Sequence, residues 1–332
     1  MAFEIIDVLN AQGIDAVALY DRPDFEYDKH SIRVPRVWSP IVRIPKETKS
    51  LKSVLKRTKD YMTGRSRRPA ANAKRCAEWV KRRGDIIIVP ENVSDWLPNK
   101  VPKNVPLVIL NQNPFSFFRA SSRSGFVKRR FVESISVSGV CSESDRIVLG
   151  RASKRIPIFI SEQTYGYQEE KKFQVAYMPR KRGSDSNFLV KALKESNLLQ
   201  AVPFVPIDGL SSAEAARVIQ ESLFFLSFSE REGFGLPAAE AMATGALVIG
   251  YTGVGGDEFF DSETGFLVPE DNLISFYHEA LSVICAYNGD KEYFDKKRKA
   301  ASQIILRNYS RENFELEVSR VFSEIGKSNS SL

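Results

Sequence analysis

Continuous apolar runs and helically spaced apolar residues succeed one another along most of this chain. Short continuous runs predict strands buried on both faces, since such strands lose the alternation of apolar and polar positions. These runs occupy residues 14–20, 85–90, 105–110, 134–140, 173–178, 202–205, 223–228 and 246–249. Helical segments separate many of them, and strands that alternate with helices predict an α/β protein built on parallel sheets.

The helices are predicted from apolar residues three and four positions apart and from the residues that end them. At the start of the chain Phe3, Ile6 and Leu9 have this spacing, and Gly13 marks the end of the helix. Other helices are predicted over residues 51–63, 70–83, 186–196, 211–222 and 312–325. The chain therefore begins with a helix, and its first strand follows at residues 14–20.

The length of 332 residues, 43% of them hydrophobic, indicates two domains with substantial cores. We predict domains over residues 1–168 and 169–310, a last helix over 311–326 and a disordered tail over 327–332. Ligands of open parallel sheets bind beyond the carboxyl ends of the strands. Glu91, Asn111 and Gln112 lie at two such ends in the first domain and are candidate ligand contacts.

The net charge of +7 is unevenly distributed along the chain. Residues 33–83 contain 17 lysines and arginines but only three acidic residues. This stretch favours attraction to an anionic membrane or acceptor, although a solvated basic face would have the same composition. Binding to nucleic acid is disfavoured, because the stretch has few aromatic residues to stack on bases and no recognisable motif.

The three cysteines, Cys76, Cys141 and Cys285, are scattered singly without metal-ligand spacing. Such a set is typical of a reducing compartment. The sequence shows neither a signal peptide nor an apolar run long enough to span a membrane. We therefore expect a cytoplasmic protein, and the basic stretch leaves open a peripheral contact with the inner face of the membrane.

Residues 229–245 carry the strongest chemical signal of the chain. They follow the apolar run at 223–228 and predict a glycine-rich turn that leads into a short helix. Pro237 suits the start of that helix, because the amide it lacks would be unpaired there. The amides of Phe234, Gly235 and Leu236 would then lie at a helix N-terminus, which attracts anions such as phosphate.

Two carboxylates accompany this predicted phosphate turn. Glu232 lies on the turn and Glu240 lies one turn into the helix, with seven residues between them. Carboxylates are hydrogen-bond acceptors for hydroxyl groups. Backbone amides that can donate to a phosphate thus lie between two carboxylates that can accept from hydroxyls. This arrangement predicts a site for a nucleotide sugar. A glycosidase pair of carboxylates is disfavoured, since the phosphate turn lies between them.

The same stretch resembles the Glu-x7-Glu signature of retaining glycosyltransferases with the GT-B fold, in particular glycosyltransferase family 4. Around the two glutamates the sequence has Glu-Gly-Phe-Gly-Leu-Pro and Glu-Ala-Met-Ala-x-Gly. Downstream, Gly255, Gly256 and Glu258 fall where the family has a Gly-Gly loop, and residues 265–269 match a Gly-Leu-Val-x-Pro turn. The resemblance covers about 40 positions.

The resemblance implies an α/β fold of two Rossmann-like domains that face each other across a cleft. The second domain would hold a nucleoside-diphosphate sugar, and the first would receive a glycan or lipid acceptor. The last helix is expected to return to the first domain. A strand usually opens the first domain of this fold, so the helical pattern from Phe3 implies that this strand is lacking here.

The resemblance also implies roles for individual residues. Glu232 would bind hydroxyls of the donor sugar, and Glu240 would bind the ribose hydroxyls. Arg180 and Lys181 would neutralise the pyrophosphate as the sugar departs, together with the amides of the turn that begins at Gly233. The predicted activity is that of a hexosyltransferase-type enzyme that transfers the sugar with retention of configuration.

No metal or other cofactor is expected, because the chain has no Asp-x-Asp motif and GT-B enzymes bind the diphosphate with side chains and amides. Many family members place a histidine near the reacting sugar. The first domain has only His30, which lies in a predicted surface loop, whereas His278 is predicted to pack in a helix. The missing strand and histidine leave an alternative open, a non-catalytic nucleotide-sugar or glycan-binding protein on the same scaffold.

Overall fold

A computed structural model gives the structure of this chain and describes residues 1–20, 34–42 and 77–330. The first part of the chain forms helices and strands in this order: α1 (Ala2–Ala11), β1 (Ala18–Tyr20), β2 (Arg36–Trp38), β3 (Ala77–Glu78), β4 (Ile87–Pro90), β5 (Leu107–Asn111), α2 (Pro114–Ser121), β6 (Phe131–Ser136), α3 (Gly139–Leu149), β7 (Lys154–Arg155) and α4 (Glu162–Tyr165).

The second part continues with β8 (Lys172–Tyr177), α5 (Gly183–Glu195), β9 (Phe204–Pro206), α6 (Ser212–Glu221), β10 (Ser222–Phe228), α7 (Leu236–Ala243), β11 (Leu247–Tyr251), β12 (Phe266–Leu267), α8 (Leu273–Ala286), α9 (Lys291–Asn308) and α10 (Arg311–Ser330). Single 3-10 turns cover residues 40–42, 91–93, 97–99, 128–130 and 255–258.

The strands pair in parallel throughout the described residues, as the alternation of strands and helices predicts. The first part has a three-stranded sheet, β1-β2-β3, and a four-stranded sheet, β4-β5-β6-β7. The second part has one five-stranded sheet in the order β12-β11-β10-β8-β9. All seven residues of β10 are buried, because this strand lies inside a sheet that is covered on both faces. The α/β fold with parallel sheets is confirmed.

The N-terminal helix and the last helix share one apolar core. Ile5 and Leu9 of α1 are buried against Phe314 and Val321 of α10, together with residues of β5 and β6. A hydrogen bond from Gln12, the residue after α1, to Ser319 joins the end of α1 to the middle of α10. Residues 2–11 thus form a helix, as the sequence predicts, and the last helix packs in the same core as this helix, β5 and β6.

Two segments differ from the sequence prediction. Residues 77–78 form β3 where a helix over 70–83 is predicted, because the backbone of this segment pairs in parallel with β2. Tertiary pairing here overrides a helical pattern. Helix α10 continues through Ser330, so residues 327–330 are helical where a disordered tail is predicted. Each further residue of an existing helix gains a backbone hydrogen bond without a new nucleation cost.

Candidate active site

The signature turn follows the buried end of β10 and leads into α7 at Leu236. Gly235, the residue before the helix, has φ of 97°, a conformation that glycine adopts without steric cost. Arg231 has φ of 49°, which is uncommon for a residue with a side chain. Pro237 lies in the first turn of α7, where no backbone donor is required. The conformation of the turn therefore depends on the positive φ angles of Gly235 and Arg231 and on Pro237 in the first turn of the helix.

The Gly-Gly loop after β11 packs against the backbone of this turn. The carbonyl of Gly253 accepts a hydrogen bond of 2.9 Å from the amide of Glu232. A Cβ added at Gly255 would lie 2.5 Å from the amide nitrogen of Phe234 and 2.7 Å from the carbonyl oxygen of Glu232. Such distances are too short for any side chain. The two segments can therefore pack together only because residue 255 is a glycine.

Three backbone amides lie at the start of α7. The amides of Phe234, Gly235 and Leu236 donate to no acceptor within the described ranges, whereas the next turn of α7 is bonded normally. The N-terminus of a helix carries a partial positive charge and unpaired donors. Such a helix N-terminus favours an anionic group, and phosphate binding at this turn stays a prediction.

Two of the three predicted catalytic side chains meet at the turn. The ammonium of Lys181, which follows β8, lies 2.6 Å from Oε1 of Glu232. The same ammonium donates a hydrogen bond of 2.9 Å to the carbonyl of Glu230. The carboxyl ends of β8 and β10 are neighbours in the sheet, and this adjacency brings the residues together. A cation and a carboxylate acceptor thus share one edge of the site.

The two arginines beside Lys181 differ in their surroundings. Arg180 is exposed and forms no ion pair with any residue that the structure describes. The side chain of Arg182 is only 9% exposed and pairs with Glu270 at 2.8 Å, with Asp271 and with Asp185. Arg182 therefore holds the loops together, and Arg180 remains free to meet a ligand.

Glu240 lies on α7 with its carboxylate largely buried. Burial raises the pKa of Glu240 to about 7, and a hydrogen bond from the Tyr165 hydroxyl lowers this pKa in part. The pKa of Tyr165 is itself raised, first by burial and then by the charge of Glu240. The sequence analysis did not identify Tyr165, because no motif marks it and its partner lies 75 positions away (240 minus 165).

The three acceptor-side candidates of the first domain have different roles. Asn111 is fully buried, and its amide nitrogen donates to the Cys141 carbonyl, to Ser144 and to Asp145. This nitrogen binds groups within the first domain rather than a ligand. Glu91 is also buried, and its carboxylate accepts a hydrogen bond of 3.3 Å from the amide of Gln112. Burial raises the pKa of Glu91, whereas this backbone bond lowers it.

The first domain touches the signature turn at its glycine. A Cβ added at Gly233 would lie 1.8 Å from the carbonyl oxygen of Gln112. Ser138 donates a hydrogen bond to the carbonyl of Gly233, and Asn113 donates one of 2.9 Å to the carbonyl of Arg231. Ser138 and Asn113 are also the N-caps of α3 and α2. Serine and asparagine are favoured at this position, so these two residues mark the helix starts in the sequence.

A second contact between the domains is made by Glu258 of the Gly-Gly loop. Its carboxylate accepts a hydrogen bond of 2.8 Å from the amide of Gly139 at the start of α3. It also lies 2.7 Å from the guanidinium of Arg155 and accepts a bond of 3.0 Å from the Tyr309 hydroxyl. One carboxylate of the second domain thus joins two groups of the first domain to the end of α9.

The matches to known proteins fall on the same part of the chain. Residues 183–285 match the family model described as Glycosyl transferases group 1. This segment is a group 1 glycosyltransferase domain. It includes α5, the signature turn, α7 and the Gly-Gly loop. The group 1 domain therefore contains both glutamates of the signature, and Lys181 lies just before its first residue.

An α-1,6-glucosyltransferase of Actinobacillus pleuropneumoniae serotype 7 (strain AP76) is 29% identical over 251 residues, which cover 73% of this chain and 75% of that protein. Together with the group 1 domain, this relative confirms the prediction of a hexosyltransferase-type enzyme.

Solved glycosyltransferase structures share the overall fold. Sucrose-phosphate synthase from Thermosynechococcus elongatus matches with a TM-score of 0.62 at 14% identity, over 98% of this chain and 92% of that chain. HepE from Anabaena, in complex with UDP-glucose, matches with a TM-score of 0.61 at 13% identity, over 97% and 95%. At such identities the likeness shows the fold alone.

Several predictions concern residues elsewhere in the chain. His30 and most of the basic stretch at 33–83 lie outside the described residues. His278 is exposed on α8 with its ring edge-on to Tyr277, so the prediction of a packing histidine is wrong. Its position faces solvent because the neighbouring Phe276 and Ala280 take the buried side of the helix. No helix among the described residues has the length and apolar character needed to cross a bilayer.

Proposed function

We propose that this chain transfers glucose from UDP-glucose to a glycan acceptor with retention of configuration. The observation that carries the proposal is the contact of 2.6 Å between Lys181 and Glu232 beside three unpaired amides at the start of α7. A cation that follows β8 thus lies beside a carboxylate and unpaired amides of the signature turn. These groups suit the diphosphate and the sugar hydroxyls of a nucleotide sugar, which supports the proposal.

Each group at the turn has a role in this proposal. Lys181, Arg180 and the amides of Phe234 to Leu236 bind the diphosphate and stabilise the charge that grows on it. Glu232 accepts hydrogen bonds from hydroxyls of the glucose. Glu240 accepts them from the ribose, one helical turn away. Interactions that strengthen as the leaving group departs lower the barrier, whereas uniform binding does not.

The transfer itself requires no protein nucleophile. The bond between the glucose C1 and the phosphate oxygen breaks, and the acceptor oxygen bonds to C1 on the same face. The acceptor proton passes to the departing diphosphate. Glu91 and Gln112, at the carboxyl ends of β4 and β5, are the proposed contacts of the acceptor. Asn111 supports them from the interior through its bonds to α3.

The choice of UDP-glucose rests on the relatives. The related protein of Actinobacillus pleuropneumoniae is named as a glucosyltransferase, and HepE binds UDP-glucose in its structure. Retention of configuration and membership of glycosyltransferase family 4 rest on the Glu-x7-Glu signature. The proposed acceptors include lipid-linked glycans. For these, the basic stretch at 33–83 would bring the protein to an anionic membrane at its cytoplasmic face.

The proposal is tested with a panel of UDP-, GDP- and ADP-sugars, with release of the nucleoside diphosphate as the measurement. This readout does not require the acceptor, because slow hydrolysis of the donor also releases the diphosphate. We expect release from UDP-glucose above all others. With water as the acceptor, NMR at early times should show that the released glucose is first formed as the α anomer. Release from none of the donors would reject the proposal.

We also propose that the reaction needs no metal ion, since cations and amides of the chain itself meet the diphosphate. EDTA should leave the release of UDP unchanged. Loss of release in EDTA, with recovery on addition of Mg²⁺ or Mn²⁺, would contradict this part of the proposal. The same experiment leaves the choice of donor sugar unaffected.

A further inference from the structure

Glu232 of the signature turn and Glu270 of the loop after β12 are joined through one residue, Gly253. The Gly253 carbonyl accepts a hydrogen bond of 2.9 Å from the Glu232 amide. The Gly253 amide donates one of 2.8 Å to Oε1 of Glu270. The backbone of Gly253 is therefore bonded on one side to the proposed donor site and on the other side to a glutamate outside that site.

Strained backbone accompanies each of these three linked residues. Within the described ranges, three residues other than glycine have a positive φ, namely Arg231 at 49°, Val254 at 70° and Asp271 at 62°. Each of them is the immediate neighbour of one linked residue in the chain. Such conformations persist only where the surrounding structure imposes them, and they cluster at functional sites. The strain is thus concentrated where the three loops are bonded together.

Val254 has the least favourable conformation of the three. Its φ of 70° and ψ of −47° approach those of a rare and strained type of γ-turn, and its side chain is branched at Cβ. The side chain is 37% exposed, so burial of its own apolar surface offsets only part of this cost. Hydrogen bonds to other loops are needed to hold the conformation, and the bond from Gly253 to Glu270 is made by the adjacent residue.

Arg182 fixes the position of Glu270. Its guanidinium lies 2.8 Å from Oε2 of Glu270, and it also pairs with Asp271 and, at 3.5 Å, with Asp185. One carboxylate oxygen of Glu270 is therefore held by Arg182, and the other accepts from the Gly253 amide. A carboxylate suits this position, because its two oxygens accept from two donors at once.

We propose that Glu270 is a positioning residue of the donor site: it holds the strained loop at Gly253 and thereby places Glu232 for the hydroxyls of the donor sugar. The inference rests on the proposed function, in which Glu232 binds the sugar. Without Glu270 the Gly253 amide loses its acceptor, and the strained loop can relax. The backbone acceptor of Glu232 then moves with the loop.

The expected effect concerns the sugar more than the diphosphate. Glu270 acts through Glu232, whereas Lys181 and the amides at the start of α7 are the proposed contacts of the diphosphate. Glu270→Ala should therefore lower turnover of UDP-glucose by at least about tenfold. The affinity for UDP should change by less than about threefold. A general loss of structure would lower both quantities together.

The experiment measures release of UDP from UDP-glucose by steady-state kinetics and the affinity for UDP by calorimetry, with the full chain. A double-mutant cycle combines Glu270→Ala with Glu232→Ala. In the Glu232→Ala background, Glu270→Ala should change turnover by less than about twofold, because the residue through which it acts is already lost. Urea unfolding checks that each variant is folded. Glu270→Gln keeps the size of the side chain but offers one oxygen to two donors, and it is measured in the same cycle.

Glu221→Ala is the matched control. Glu221 pairs with Lys172 at 2.7 Å, and its side chain is 39% exposed, compared with 38% for Glu270. This pair lies at the amino ends of β8 and β10, on the edge of the sheet opposite to the signature turn. Glu221→Ala should keep the turnover and the UDP affinity of the wild type.

The outcomes separate the inference from the proposed function. If Glu270→Ala behaves like Glu221→Ala, or if its loss multiplies with that of Glu232→Ala, the inference is overturned and the proposed function stands. If UDP affinity falls as far as turnover, Glu270 supports the domain as a whole, and the inference is again overturned. If Glu232→Ala itself keeps the turnover of the wild type, the proposed role of Glu232 fails, and the inference fails with it.

Discussion

The ammonium of Lys181 lies 2.6 Å from the carboxylate of Glu232, so two groups of the proposed donor site neutralise each other in this structure. Both side chains are partly exposed, and removing either partner would leave the other charge unpaired at this position. In the proposed function, a bound diphosphate would give the lysine a more highly charged partner and release Glu232 toward the sugar hydroxyls. The predictions below test the roles of these residues.

Lys181→Ala should lower turnover of UDP-glucose by at least about tenfold, equivalent to roughly 1.4 kcal/mol of barrier. The lost cation stabilises charge that grows on the departing diphosphate, so kcat should fall more than KM rises. Steady-state kinetics of UDP release measure both. Lys172→Ala is the control, since Lys172 pairs with Glu221 at 2.7 Å in an exposed position. Equal kinetics for the two variants would remove Lys181 from the diphosphate site.

Arg180→Ala should also lower turnover by at least about tenfold, with a smaller loss of UDP affinity. Arg180 is exposed at the carboxyl end of β8 and forms no ion pair among the described residues, so it can turn toward the ligand. Turnover and UDP affinity are compared in the same preparation. A loss of affinity equal to the loss of turnover would assign Arg180 to ground-state binding only.

Glu240→Gln should stabilise the fold at pH 8 while it weakens UDP binding. In the folded protein, the pKa of Glu240 is raised to about 7 from an ordinary value of 4.5. Between these two pH values the folded state keeps a proton on Glu240 that the unfolded state has lost. The wild type therefore loses stability as pH rises through this window, by at most about 3 kcal/mol. Urea unfolding at pH 4 and pH 8 measures the effect. If the free energy of unfolding changes equally with pH in the wild type and the variant, the prediction is wrong.

Gly233→Ala should separate the two domains. Its Cβ would lie 1.8 Å from the Gln112 carbonyl, an overlap that backbone atoms cannot relieve without moving the domains. We expect a larger radius of gyration in X-ray scattering and a loss of transfer of at least about tenfold. Gly326→Ala is the control, because no heavy atom lies within 4 Å of a Cβ there. A Gly233→Ala variant with unchanged scattering would show that the contact is not required for closure.

The basic stretch at residues 33–83 should bring the protein to anionic vesicles. Its 17 cations and three acids are enough for attraction at low salt, and the effect should weaken as the Debye length falls to about 8 Å at physiological ionic strength. Sedimentation measures the fraction of protein that pellets with anionic vesicles and with neutral vesicles. Equal pelleting would leave this stretch as a solvated basic face.

Much of the second domain could be predicted from the sequence. The seven buried residues of β10, the glycine-rich turn and the helix start near Pro237 are local patterns with local causes. Both glutamates of the signature lie in this local pattern, whereas the basic residues after β8 were predicted from the resemblance to GT-B glycosyltransferases. Such features depend on periodicity and on the backbone preferences of glycine and proline, which are properties of neighbouring residues.

The partners of these residues depended on the tertiary structure. The packing of Tyr165 against the core that contains α7 and the ion pair of Glu258 with Arg155 join residues far apart in the chain, through side chains that carry no motif. The burial of Asn111 was equally hidden, since a polar residue at a strand end is as compatible with a ligand as with an internal network.

The sequence by itself determined the class of the fold, the signature turn and the residue types that we propose to meet a nucleotide sugar, because these follow from local spacing. Only the tertiary structure decided that β3 is a strand, that Arg182 is a support rather than a ligand contact, and that Gly233 touches the other domain. Pairing between strands, burial of charge and contact between domains arise from residues brought together in space. No pattern along the chain records that proximity.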